Sequence, residues 1–259
     1  MLPHPVLTPD RAVASDALLR QVARDTLVTP RYPLSVMPMP HANHAAPPAH
    51  PFVFVGERLW LDFVNTDDAR HGVRVDALCD FGALVQWLET AQLLDAERAT
   101  AIRLRARQQP AGATAALADA RRIRAALRVL AERGALSQDV RRNAVAEINR
   151  VLGRSAGMRH LEARGDGSFV RSFVPTGDAF AGLMIAVVES AADTLVLGEL
   201  SRVRRCADAR CPRVFFDSTK NGRRRWCDIA TCGNRAKAAR HRGKKKESVS
   251  GAVGQRVGQ

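Results

Sequence analysis

The sequence predicts a mainly α protein with small β-hairpins, an α+β chain whose helical N-terminal domain precedes a small C-terminal module. Three observations carry this expectation. Apolar residues recur at three- and four-residue intervals through much of residues 78–200, the period of a helix with one buried face. Short extended runs sit beside turn-forming Gly, Asn and Asp. Four of the five cysteines form two matched pairs, Cys206/Cys211 and Cys227/Cys232, inside the most basic stretch.

Residues 1–51 are rich in Pro, Ala and His and read as a disordered leader, with Pro38, Pro40, Pro47, Pro48 and Pro51 breaking any regular element. His41, His44 and His50 read as a solvated run that binds nothing. Met37 and Met39 stand just ahead of the folded region, and a native start at either would account for the featureless residues 1–36. Order begins at Phe52. Residues 52–55 suit a short strand, Gly56 and Glu57 a turn, and residues 59–64 a strand or tight helical segment ending at Asn65 and Thr66. Leu78, Phe81, Leu84, Val85, Leu88 and Leu93 form the next helical stripe, with Trp87 on its flank and Cys79 as a buried core thiol.

A helix over residues 96–108 ends before Pro110. The longest pattern, residues 113–133, lines one face with Leu117, Ala120, Ile123, Leu127 and Leu130, and Gly134 stops it. Arg121, Arg122 and Arg124 fit its solvated face. Val140, Val145, Ile148 and Leu152 mark a further helix closed by Gly153. Residues 160–163 and 168–174 flank Arg164-Gly165-Asp166-Gly167, which suits a hairpin turn. The last helix, residues 178–200, is apolar on most sides and is expected at the centre of the core. It runs straight into the first Cys pair, so the C-terminal module should dock on the body.

The net charge of +14 is unevenly spread. Residues 1–200 hold 23 Arg and no Lys against 22 acids, a balance of +1, whereas residues 201–246 hold 16 basic residues against three acids, a balance of +13. Such asymmetry points to a polyanionic partner for the C-terminal region, with nucleic acid favoured over a membrane surface. No apolar run approaches the ~18 residues needed to span a bilayer, and the N-terminus lacks a secretory pattern, so the chain reads as cytoplasmic.

Two short-spaced Cys pairs brought together by a hairpin supply four thiolates at tetrahedral reach, the donor set of a structural zinc site. Sulfur donors also select zinc over harder ions. Two disulfides would need an oxidising compartment, and nothing here suggests export. One zinc per chain is expected, held by Cys206, Cys211, Cys227 and Cys232.

Residues 206–237, CADARCPRVFFDSTKNGRRRWCDIATCGNRAK, closely resemble the CGNR-type zinc finger, named for Cys232-Gly233-Asn234-Arg235. Residues 56–66, GERLWLDFVNT, with Trp87-Leu88 and Leu93-Leu94, resemble the start of the ABATE domain that accompanies that finger. The resemblance implies a bacterial, stress-induced transcription regulator. It suggests domains at residues 52–200 (helical, ABATE-like) and 201–243 (finger), with a basic flexible tail at 244–259.

In the finger, Cys206 and Cys211 would form a knuckle leading to a strand at Val214, Phe215 and Phe216. The turn falls near Lys220-Asn221-Gly222, and residues 224–227 return as the second strand with Trp226 covering the metal. Residues 234–242 suit a short helix, and the whole is treble-clef-like. So small a unit cannot bury enough surface to fold alone, and removal of zinc should unfold residues 203–242.

Lys220, Arg223, Arg224, Arg225, Arg235, Lys237, Arg240 and Arg242 would form one basic surface, extended by Lys244, Lys245 and Lys246. At least one of Arg223, Arg224 and Arg225 should pack inward, and Arg235 is exposed to capture by the thiolates. Duplex DNA is the expected partner, with an RNA-binding or ribosome-associated module as the alternative. The helical domain would sense a small-molecule or protein signal, and a homodimer would pair half-sites. An enzyme is not expected. Asp62, Asn65, Asp67 and Asp68 lack a nucleophile–base pair or phosphate loop and read as caps and turns.

Overall fold

The computed structural model describes residues 52–70, 73–132, 137–154, 157–163, 169–176 and 180–242. The leader with its histidines, Gly134, the 164–167 turn and Lys244–Lys246 lie outside the described residues.

Helix α1, Leu59–Val64, is buried at every position, and its neighbours explain why. It packs between α4 (Pro110–Glu132) and α6 (Ile185–Val196) and also touches strand β6 (Val214–Phe216) of the cysteine module. Trp60 donates from its indole Nε1 to Thr194 Oγ1 at 3.0 Å, so the one polar atom of this buried ring is satisfied. Phe63 meets Trp87 edge-on, with centroids 5.0 Å apart. Each large side chain buried here contributes about 1.5–3 kcal/mol relative to exposure.

The remaining elements wrap this centre. Strands β1 (Asp67–Arg70) and β2 (Val73–Asp76) pair antiparallel, Asp67 opposite Asp76. Helix α2, Phe81–Thr90, begins where Asp80 caps it by accepting from the Ala83 amide at 2.7 Å. Helix α3, Ala96–Gln108, has Asp95 in the same role and buries only Ala99, so it is a solvent-facing helix. Pro110 stands at the first position of α4, where its missing N–H would have had no helical partner. Helix α5, Gln138–Arg154, packs on α4 and α6. Strands β3 (Gly157–Ala163) and β4 (Phe169–Pro175) form an antiparallel hairpin.

Several expectations are corrected. Residues 52–55 form no strand. Trp87 is a core residue rather than a flanking one, because α1 supplies a second apolar surface on that side. Cys79 is exposed: it precedes the cap of α2 and its thiol points to the Asp80 carboxylate. In α5 the buried stripe is Ala144, Ile148 and Val151, while Val140 and Val145 are exposed. The last body helix is shorter than residues 178–200: turns occupy 180–184, and Gly198, at φ 68°, ends it in the left-handed conformation that glycine adopts freely. A 3₁₀ turn, Glu199–Arg202, then leads to strand β5, Val203–Arg205.

Of the expected solvated face, Arg122 is exposed and Arg121 partly so, but Arg124 departs from it. Arg124 is buried, with its guanidinium on both Asp76 oxygens (2.6 and 2.8 Å) and on Thr66. Arg121 donates to the Leu78 and Cys79 carbonyls, and Arg122 pairs with Asp119 and Glu147. No described helix is long and apolar enough to cross a membrane.

Candidate metal centre and nucleic-acid interface

The four cysteines arrive from four local structures. Cys206 directly follows β5, and Cys211 closes the short loop that returns the chain to β6, antiparallel to β5 with Val203 opposite Phe216. Cys227 lies in an irregular segment, and Cys232 in the π-helical turn Ile229–Gly233. That turn starts where Asp228 accepts from the Ala230 amide and the Thr231 hydroxyl, and it opens directly into helix α7, residues 234–242. The return segment at 224–227 is therefore not a strand, in contrast to the expected hairpin. The strand partner of β6 comes from before the first cysteine.

All four thiols are free and buried, and their sulfurs lie within 4.8 Å of one another. Cys227 Sγ is 3.7 Å from both Cys211 Sγ and Cys232 Sγ. A tetrahedron of sulfurs around zinc at ~2.3 Å has edges of ~3.8 Å, so the donor set fits the ion. Val55 and Trp226 pack against this cluster and exclude water from it. The site holds one structural zinc, and four thiolates leave it no open coordination position.

The thiols show why a cation is needed. Hydrogen bonding from Cys227 pulls Cys211 down to about 5, while the same contact pushes Cys227 up and burial pushes Cys206 up. Cys211 yields its thiolate readily while Cys206 and Cys227 resist, and a metal cation stabilises the charged form. Arg235 offsets part of the site's negative charge. Its Nη2 donates to Cys232 Sγ at 2.9 Å, and its Nε sits 3.0 Å from Asp208.

Body and finger are joined by a run of polar contacts immediately after Cys211. The Arg128 guanidinium donates to Pro212 O (3.2 Å), Val64 O (2.8 Å) and Asp67 O (2.8 Å). Arg213 meets Asp68 at 2.5 Å. The Asn65 amide both donates to Val214 O and accepts from Val214 N, each at 2.9 Å. The Phe216 amide donates to Gly56 O at 2.9 Å, and the Arg58 guanidinium lies 3.8 Å above the Phe216 ring. Asn65, Asp67 and Asp68 thus do more than cap α1. The sequence signal for this role was the polar run Asn65–Asp68 directly after a fully buried, mostly apolar helix, but its partners lie far along the chain.

The basic residues divide into two groups. Lys220, Arg223, Arg225, Lys237, Arg240 and Arg242 are exposed. Arg225 lies 5.3 Å from the Trp226 ring, and Gly222, at φ 60°, supplies the left-handed residue of the turn beside Lys220. Lys237 and Arg240 are three apart on α7 and share a face. Arg224 departs from the expected surface. It spans from Trp226 O (3.0 Å) and Cys227 O (2.5 Å) to Glu57, over the Phe215 ring, and so is committed to the fold. Arg235 is likewise engaged by Cys232 and Asp208.

Two families match the chain. The ABATE family, described as "Putative stress-induced transcription regulator", matches residues 57–198, and the CGNR zinc finger family matches residues 202–245. Neither is an enzyme family. No curated protein matches the chain. The ABATE match spans more than half of the sequence and the finger match contains all four zinc ligands. The chain therefore belongs to the ABATE family and carries a CGNR zinc finger after its helical body.

Proposed function

We propose that the chain is a zinc-dependent, DNA-binding transcription regulator whose finger contacts nucleic acid and whose helical body receives a small-molecule or protein signal. The observation that carries this reading is the charge contrast, +13 over residues 201–246 against +1 over residues 1–200. Exposure of Lys220, Arg223, Arg225, Lys237, Arg240 and Arg242 supports the same surface, with Lys244, Lys245 and Lys246 continuing it in sequence. Arg223 and Arg225 suit guanine edges, because guanidinium donates two parallel hydrogen bonds, whereas the lysines act as point charges on phosphate. One finger gives a small footprint, so the regulator would bind paired half-sites as a homodimer.

Selection from a random duplex library, followed by binding across a salt series, tests this. Five or six phosphate contacts give a slope of log affinity against log salt of about −5. Replacing Lys244, Lys245 and Lys246 by Ala should flatten that slope by about 2.7 and weaken all sequences alike. Replacing Arg225 by Ala should erode discrimination between sequences by about 1–3 kcal/mol. Binding that ignores salt would sink the reading, and structured RNA outcompeting the selected duplex would replace DNA by RNA as its target.

A further inference from the structure

The two cysteine pairs are supported from different places. The three residues after Cys211 are each fastened to the helical body by a different group: Pro212 O by Arg128, the Arg213 guanidinium by Asp68, and Val214 N and O by the Asn65 amide. The same stretch carries Cys206, whose amide donates to Arg213 O at 2.9 Å. Both ligands of the first pair are thus referenced to α1, β1 and α4.

Among the described residues, Cys227 and Cys232 make no such hydrogen bond to the body. Arg224 holds the Cys227 carbonyl, and Arg235 holds the Cys232 sulfur, both from within the finger itself. Of the contacts that tie the second pair's surroundings to the body, the Arg224–Glu57 ion pair is part exposed. Exposed pairs contribute only about 0–1 kcal/mol. Helix α7 is exposed at nearly every position, and its residues bury no core of their own beyond Cys232 and Gly233 at its entrance.

We infer that the zinc site is assembled in two halves: Asn65, Asp68 and Arg128 of the body hold the Cys206–Cys211 knuckle in place without metal, and zinc recruits Cys227, Cys232 and α7 to it. Metal occupancy then orders or releases the basic helix while the knuckle and β6 stay on the body. On the reading above, that helix is the nucleic-acid face, so zinc would switch binding without detaching the finger. The sequence alone suggested instead that the whole of residues 203–242 would come apart together.

The consequence for the body residues is that they act as an outer shell of a metal site to which they donate no ligand. Groups that orient ligands in this way typically alter metal affinity 10–100-fold when removed. Asp68 and Arg128 are positioning residues in this sense, and the effect should reach zinc through Arg213 and Pro212.

Hydrogen exchange on the full chain, zinc-loaded and then stripped by a chelator, tests the halves without any nucleic acid, so its outcome is separate from whether the finger reads DNA. Amides in 203–206 and 213–217 should keep most of their protection on zinc removal, while those in 227–242 should exchange at least about tenfold faster. Equal loss of protection in both stretches, or retained protection in both, would overturn the inference. Zinc affinity by chelator competition gives the second measurement. Asp68→Asn and Arg213→Met should each weaken zinc about 10–100-fold, the double variant no further, with Asp68→Glu restoring part of the loss. Unchanged affinity in a folded Asp68→Asn chain, with normal helical circular dichroism, would also overturn it. If Asp68→Asn does not fold, the exchange experiment on the native chain decides alone.

Discussion

Body and finger reach order by different physics. The body closes around Trp60, Phe63, Trp87, Ile123 and Leu127, a continuous apolar cluster in which aromatic rings and aliphatic side chains exclude water. The finger's own interior is Phe215 and four sulfurs, with Val55 lent by the body and Trp226 as a partial cover. A few dozen residues cannot bury enough apolar area to offset their conformational entropy, so metal–sulfur bonds replace the missing core. The polar seam between them joins one kind of order to the other, and the contrast can be tested from its strongest term down.

The largest effect should come from the metal. Cys232→Ser should lower zinc from one per chain to near zero by elemental analysis and remove stabilisation on the order of 10 kcal/mol from the finger. Most of the helical circular dichroism, which arises from the body, should survive. Full zinc retained in that variant would show that Cys232 is not a ligand. In the body, Trp87→Ala should cost about 3–5 kcal/mol in denaturant unfolding, with zinc stoichiometry unchanged in the folded fraction. Loss of zinc in step with that substitution would erase the distinction between the two regions.

A smaller effect should appear as pH dependence. Asp62 is buried in α1, where its Oδ1 accepts from the Gly56 amide at 2.7 Å, and burial pushes its pKa from 3.8 to about 7. The folded chain therefore binds this proton more tightly than the unfolded chain. Its stabilising contribution is full below pH ~4 and is lost as pH rises through about 7, at no more than about 1.4 kcal/mol per pH unit. Asp67 and Asp76 act in the opposite sense. The Arg74 hydrogen bond holds Asp67 below the usual carboxylate range, and Arg124 holds Asp76 below it despite burial, so both lose their contribution only as pH falls below ~4. With zinc saturating, Asp62→Asn should flatten the decline between pH 4 and 7, and an unchanged profile would exclude Asp62 as its source. The smallest effect belongs to the surface: Arg142→Ala removes an ion pair to Asp139 that is mostly solvent-exposed and should change stability by less than about 0.5 kcal/mol.

What could be read from the sequence follows the same division. The metal site was legible because its chemistry is written in residue type and spacing: four thiols in two close pairs have few other uses in a chain without disulfides. The helices of the body were legible from their apolar period, including the long α4 and the buried face of Ile123 and Leu127. Trp87, Arg124 and Cys79 were not, because each depends on what lies across from it. A residue on the flank of one helix becomes core when a second element covers that flank, and an Arg on a supposed solvent face becomes buried when Asp76 waits beneath it. The seam was least legible of all. Asn65 and Val214 are 149 residues apart, and no local pattern links an amide after α1 to a backbone beyond the first zinc knuckle. For the same reason the finger's hairpin was misassigned: β5, before Cys206, competes better for β6 than the downstream Arg-rich segment, whose Arg224 is drawn onto Phe215 and the Cys227 carbonyl.

The contacts on Val214 and Phe216 have one more consequence. A two-stranded ribbon ordinarily leaves a row of unpaired amides and carbonyls along each outer side, a template on which another chain can add a strand and begin to aggregate. On the far side of β6 three of those groups are taken: Asn65 satisfies both backbone groups of Val214, and Gly56 accepts from the Phe216 amide. The ribbon is therefore sealed along that side by the body's own chain, and self-assembly of this protein by strand addition at β6 would first require the body to let go.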